Sequence, residues 1–185
     1  MTRIVAGTVG GRRIEVPRSG TRPTSERVRE ALFARLDHYG VLDGARVLDL
    51  CAGSGALGLE AASRGAGEVT LVDSSRGASQ TCRRNIRSLG LRGVSAVTAK
   101  AAAFLAGPAG DPADLVLIDP PYELSEEELT AILTALVRSE DPWLAPRAVV
   151  VERSTRSPEP TWPAGLERFA DKRYGETTVW FAEPA

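Results

Sequence analysis

The chain has 185 residues, a hydrophobic fraction of 43% and a formal net charge of −1 at pH 7. That length suits one domain with a substantial core. No apolar run approaches the roughly 20 residues of a membrane span, and no signal-peptide pattern opens the sequence, so a cytoplasmic address is expected. Two cysteines (Cys51 and Cys82) and a lone histidine (His38) fit neither a disulfide framework nor a metal site nor a histidine-based triad, and no metal is expected.

The charge is unevenly spread. Residues 1–35 hold eight arginines against three glutamates, a balance of +5, so the remainder sums to −6. A basic arm on an acidic body suggests a polyanionic partner at one end. Residues 3–9 and 12–16 read as short strands joined by a two-residue turn at Gly10-Gly11, because glycine supplies the positive φ angles. Arginines at both ends would make this hairpin face nucleic acid. A helix is expected from Thr24 or Ser25, either of which can cap it, to Gly40. Val28, Leu32, Phe33 and Leu36 share its apolar face. Residues 1–40 are thus predicted to form an extension ahead of a main domain over 41–185.

From residue 45 strands and helices alternate. Strands are expected at 46–50, 68–73, 94–98, 115–119 and 148–152. Helices are expected at 56–64, 75–89 and 101–105, and from Ser125, whose capping box is completed by Glu128. A closing hairpin over 166–174 and 177–182 turns at Gly175. This order implies an α/β fold with a mostly parallel, seven-stranded sheet and helices on both faces. Ligands in such folds sit beyond the carboxyl ends of the strands. Asp49, Asp73 and Asp119 all fall there.

Two motifs carry chemistry. Gly53, Gly55 and Gly58 fit G-x-G-x-x-G after the first strand of this alternation, and Asp73 follows Gly53 by 20 residues, placed to accept ribose hydroxyls. Spacing alone also fits a dinucleotide fold. S-adenosylmethionine is favoured because Asp49, unhelpful beside a pyrophosphate, suits the methionyl amine or sulfonium region. The chain is also short for a separate substrate domain. The second motif is Leu115-Val116-Leu117-Ile118-Asp119-Pro120-Pro121-Tyr122. A buried strand stops at two prolines that cannot donate to a ladder, and Asp119 is held extended before them. One carboxylate, a neighbouring carbonyl and one aromatic face suit a planar amine. Cys51 reads as a small buried residue and not a nucleophile, since the sequence has no Pro-Cys dipeptide.

Asp119-Pro120-Pro121-Tyr122 resembles the Asp/Asn-Pro-Pro-Tyr/Phe motif of methyltransferases acting on exocyclic amines of nucleobases. With the glycine loop, the chain resembles a Rossmann-like class I methyltransferase. More narrowly it resembles the RsmD family, bacterial enzymes that methylate guanine N2 in 16S ribosomal RNA. The match runs nearly end to end, through Gly10-Gly11-Arg12, residues 21–33, residues 49–60, the Asp119 motif and Tyr174-Gly175-Glu176-Thr177.

The resemblance implies S-adenosylmethionine as cofactor and 16S rRNA in the small ribosomal subunit as partner. Asp119, Pro120, Pro121 and Tyr122 become the catalytic group. Asp49, Ala52, Gly53, Ser54, Gly55 and Gly58 would hold the cofactor, together with Asp73 and Ser74. Thr98-Ala99-Lys100-Ala101 lacks the usual acidic or amide adenine reader, so that contact would fall to the backbone near Ala101 or to apolar packing. Arg12, Arg13, Arg22, Thr24, Arg27 and Arg29 would hold RNA. A monomer is expected. The alternatives are a DNA amino-methyltransferase (adenine N6 or cytosine N4) and an NAD-dependent oxidoreductase.

Overall fold

The structure is a computed structural model that describes residues 1–18, 24–146, 149–154 and 158–185, with the backbone alone for 149–154. Among the described residues, no helix is long and apolar enough to cross a membrane.

A two-stranded ladder, β1 (Thr2–Arg3) with β2 (Arg13–Ile14), precedes α1 (Glu26–Tyr39). Then follow β3 (Arg46–Leu50), α2 (Ala56–Ser63), β4 (Glu68–Asp73), α3 (Arg76–Leu89), β5 (Val94–Thr98) and α4 (Ala101–Leu105). The chain ends with β6 (Leu115–Ile118), α5 (Glu126–Leu136), β7 (Val149–Ser154), β8 (Leu166–Tyr174) and β9 (Thr177–Pro184). The main sheet has seven strands in the order β5-β4-β3-β6-β7-β9-β8. The first five of that order run parallel, and β9 and β8 add an antiparallel edge.

Local chemistry explains the boundaries. The Ser25 hydroxyl accepts the Val28 N–H to start α1, and Gly40 closes it at φ 67°. Ser75 and Gly90 do the same for α3, and Ser125 and Glu128 complete their capping box on α5. Period-two alternation sorts the strand residues onto two faces. Val47, Val69, Leu71, Leu115 and Leu117 pack under α1, α2 and α3. Leu48, Leu50, Val72, Val116 and Ile118 pack under α4 and α5.

The N-terminal arm departs from the expected hairpin. Its ladder pairs only Thr2 with Ile14 and Arg3 with Arg13. Past that ladder the Ile4 and Gly11 N–H groups still bond across the arm, to the Arg12 and Ile4 carbonyls, but the residues between them also bond to α2. The Val5 and Ala6 N–H groups donate to the Glu60 carboxylate at 2.8 and 3.0 Å, and the Thr8 and Val9 N–H groups donate to Ser63. Positive φ falls at Gly7 and Gly11, not at Gly10. A Cβ on Gly7 would lie 2.0 Å from the Ser63 carbonyl oxygen. Ile4 and Ile14 share one apolar cluster with Leu32, Phe33 and Leu36 of α1 and with Val47, Leu115 and Phe181 of the main sheet. The predicted start of the fifth strand at residue 148 lies outside the described residues.

Glu60 anchors this junction. It is buried beside Arg29, also buried, at 3.6 Å, and beside Arg64 at 2.9 Å. Removing one partner of a buried pair leaves the other charge desolvated and uncompensated. Glu60→Ala is therefore expected to lower stability by about 3–5 kcal/mol. Urea unfolding followed by circular dichroism measures it, and a loss below about 1 kcal/mol would match an exposed pair instead.

Candidate active site

Beyond the carboxyl ends of the parallel strands lies a cavity of about 910 Å³, at the large end of ligand clefts. It forms where the strand order reverses. β3 continues to β4 on one side and has β6 on the other, and the two loops leaving β3 and β6 part at that point.

The loop after β3 is held from below and above. Cys51 takes φ 62°, a left-handed conformation rare outside glycine, and Gly53 follows at 59°. The Gly53 N–H donates to Asp73 Oδ2 at 2.8 Å, tying the loop to the end of β4. Asp73 Oδ1 accepts the Ser75 N–H at 2.8 Å. Each oxygen keeps a second lone pair for a hydroxyl donor. Asp49 lies beneath the loop, 1% exposed, and its Oδ2 accepts the Gly58 N–H at 2.8 Å. Its Oδ1 has no hydrogen-bond partner among the described residues. Burial pushes the Asp49 carboxyl up to about 8. The Gly58 N–H opposes that shift, and the Asp119 and Asp73 charges add to it. A buried carboxylate oxygen without a donor at the cavity floor fits a cationic ligand group.

On the opposite wall, Asp119 follows the last residue of β6. Thr24 Oγ1 donates to Asp119 Oδ2 at 3.0 Å. Burial raises the Asp119 carboxyl to about 6 against the pull of that Thr24 bond. The Leu124 N–H closes a turn onto the Pro121 carbonyl at 3.0 Å, leaving the Pro120 carbonyl outside that bond. Tyr122 is 63% exposed at the lip of the cavity. Burial pushes the Cys51 thiol up to about 12, which suits a structural residue and not a nucleophile.

The cavity brings together Asp49, Ala52, Gly53, Ser54, Asp73, Ser74 and Ala101 with Asp119, Pro120, Pro121, Tyr122 and Thr24. Other expected residues do different work. Gly55 caps α2 at φ 83°, and a Cβ there would meet Leu71 at 2.9 Å. A Cβ on Gly58 would meet Leu71 at 2.2 Å, so this glycine lets α2 approach the sheet. Neither lines the cavity; they act beneath it. Arg29 cannot serve as an RNA contact while buried against Glu60, with its guanidinium donating to the Arg3 carbonyl. Arg12 donates to the Ser88 and Leu89 carbonyls at the end of α3. Arg13 and Arg27 are exposed away from the cavity lining, and Arg22 lies outside the described residues. Sequence reasoning left Tyr174, Glu176 and Thr177 unassigned, yet the β8–β9 turn brings all three to the cavity. Their signal was the Tyr174-Gly175-Glu176-Thr177 segment.

The family described as conserved hypothetical protein 95 matches residues 2–183. The chain belongs to this family. Among its curated relatives, ribosomal RNA small subunit methyltransferase D of Escherichia coli (strain K12) is 39% identical over 178 residues, 94% of this chain and 85% of the relative. The Haemophilus influenzae protein of the same name is 32% identical over 94% of this chain and 89% of its own length. The solved structure of yhhF from Escherichia coli superposes with a TM-score of 0.85 at 34% identity, covering 99% of this chain and 97% of that one. This is the RsmD family that the sequence motifs resemble, and its fold is that of a Rossmann-like class I methyltransferase.

The raised Asp49 carboxyl gives stability a pH dependence. Between about 4 and 8 the folded chain keeps a proton that the unfolded chain has released. Stability of the ligand-free protein should therefore fall as pH rises through that window. Asp49→Asn, which retains the acceptor for Gly58, should flatten the decline between about pH 6 and 8. Chemical denaturation of both proteins at the two pH values measures it; parallel declines would contradict the assignment.

Proposed function

We propose that this protein methylates the exocyclic N2 amine of a guanine in 16S ribosomal RNA, using S-adenosylmethionine, during small-subunit biogenesis. One observation carries the reading. Asp119, anchored by Thr24 and followed by two prolines and an exposed Tyr122, faces across one cavity the glycine loop held by Asp49 and Asp73. The rRNA methyltransferase names of the relatives support the substrate class.

S-adenosylmethionine supplies a methyl group on a positively charged sulfur. Asp49 Oδ1 would accept from the methionyl ammonium, and Asp73 from the ribose hydroxyls. Gly53 lets the backbone approach, and Ala99 and Ala101 offer a small apolar wall for the adenine. A dinucleotide fits less well. The Gly58 N–H already donates to Asp49, so it is not free for a pyrophosphate.

The guanine 2-amino group is a weak nucleophile because its lone pair is delocalised into the ring. Asp119 and the Pro120 carbonyl would accept its two N–H bonds and aim the lone pair across the cavity. Placement and charge lower the barrier without a covalent enzyme intermediate. Formation of the new N–C bond would be matched by breakage of the methyl–sulfur bond, the pair of electrons staying on a neutral thioether, and the nitrogen would shed one proton. Asp119, raised to about 6, is basic enough to take it and pass it to water. Tyr122 would stack on the base, worth about 1–3 kcal/mol by analogy with other base–aromatic contacts. A paired guanine would first be flipped out.

Asp119→Ala is expected to abolish transfer while S-adenosylhomocysteine still binds, measured by calorimetry; loss of both would sink this division of roles. Thr24→Val removes the bond that lowers the Asp119 carboxyl. It should move the acidic limb of the rate profile to higher pH, and an unshifted limb would contradict the part given to Thr24.

A further inference from the structure

The basic arm has a second basic element beside it. α3 spans Arg76–Leu89 and carries Arg76, Arg83, Arg84 and Arg87 with no acidic residue, and Arg92 follows its cap. All five are exposed, while Ala78, Thr81, Cys82, Asn85 and Leu89 bury the opposite side. Helical spacing of seven and four residues aligns Arg76, Arg83 and Arg87 in one row, about 17 Å long at the usual rise.

Helix electrostatics account for only part of this row. Arg87 in the last turn favours the negative end of the dipole, as does the Arg12 guanidinium on the Ser88 and Leu89 carbonyls. Arg76 sits in the first turn, where the dipole favours an acid and disfavours a cation. Its position there is not explained by helix stability.

The arm runs along this helix toward the cavity. Arg12 lies at the end of α3, and Glu15 exchanges two backbone hydrogen bonds with the Asn85 side chain at 2.8 and 2.9 Å. Val16 and Pro17 then line the cavity, and exposed Arg18 follows. The acid within the strip, Glu15, is paired with Arg84 at 2.9 Å. Asn85 lies on the side of α3 away from the row, so the arm and the row flank the helix with Arg84 between them, and the row itself forms a basic track whose Arg76 end adjoins Ser75 in the cavity lining.

We propose that this track is the docking surface for the phosphate backbone of the RNA that delivers its guanine to Asp119. The inference rests on the functional reading above and extends it from the arm to α3. Charge complementarity and continuity with the cavity both favour an RNA strand as the occupant. Arg83 and Arg84 hold bonds to Ala96 and Glu15 on other elements, whereas Arg87 makes only a long 3.4 Å bond to the Arg83 carbonyl of its own helix, so Arg76 and Arg87 are the more informative positions to change.

The test uses the full chain and small ribosomal subunits lacking the modification. Binding and KM are measured across a potassium chloride series for the parent and for the double variant Arg76→Gln/Arg87→Gln. Lys172→Gln, on the far edge strand β8, serves as the control. Neutralising two phosphate contacts should make the log–log salt slope shallower by about 1.4–1.8 and raise KM. The kcat, the melting temperature and S-adenosylhomocysteine affinity should stay at parental values. The arginines restored as lysines should recover most of the slope. A double variant that titrates like the parent or like Lys172→Gln would overturn the track. So would a loss explained by weaker S-adenosylhomocysteine binding, since the arginines would then serve the cofactor loop. If the parent itself binds subunits but transfers no methyl group, the functional reading fails and not the surface alone.

Discussion

The site depends on the parallel pairing of β3 with β6. Leu50 sits opposite Ile118 at the ends of these two strands. The next residues, Cys51 and Asp119, therefore leave the sheet side by side at the point where the strand order reverses. One strand delivers the glycine loop and Asp49; the other delivers the carboxylate that would meet the acceptor amine. No movement of domains is needed to bring the two halves together. A register slip of one residue would turn Asp49 and Asp119 to the other faces of their strands and dismantle both halves.

A second constraint couples the N-terminal arm to this crevice. Glu60 on α2 holds the Val5 and Ala6 backbone, Arg29 of α1 and Arg64 in one buried cluster. α1 in turn starts next to Thr24, which donates to Asp119. The arm thus reaches the reacting centre through hydrogen bonds and packing, and shares the core of the main sheet. A segment that reads as an RNA-facing appendage also supplies the Thr24 hydroxyl that opposes the upward shift of the Asp119 carboxyl.

Most of the sheet and its helices were legible in the sequence because local signals agreed. β3, β4, β5 and α4 have the boundaries expected from apolar patterning, and serines cap α1, α3 and α5 where expected. The arm was misread because the partners of the Val5, Ala6, Thr8 and Val9 N–H groups lie more than 50 residues away on α2, and no local pattern announces them. Arg29 shows a conflict between chemistry and position. Its spacing to Leu32, Phe33 and Leu36 places it on the buried face, but its charge argued for solvent, and Glu60 is not adjacent in sequence. The glycine fingerprint likewise mixes two roles. Gly53 takes a positive φ in the cavity lining, whereas Gly55 and Gly58 serve a turn and helix–sheet packing. The pattern of glycines is the same for both purposes; only the neighbours in space separate them.

The most direct measurement is the identity of the methylated nucleoside. Unmodified small subunits, naked 16S rRNA and duplex DNA would each be incubated with the protein and isotopically labelled S-adenosylmethionine, then digested and analysed by mass spectrometry. Labelled N2-methylguanosine from rRNA, absent with Asp119→Ala, is the expected result. Label appearing as N6-methyladenine or N4-methylcytosine in DNA, with none in rRNA, would keep the amine chemistry of the Asp119 platform and contradict the ribosomal substrate.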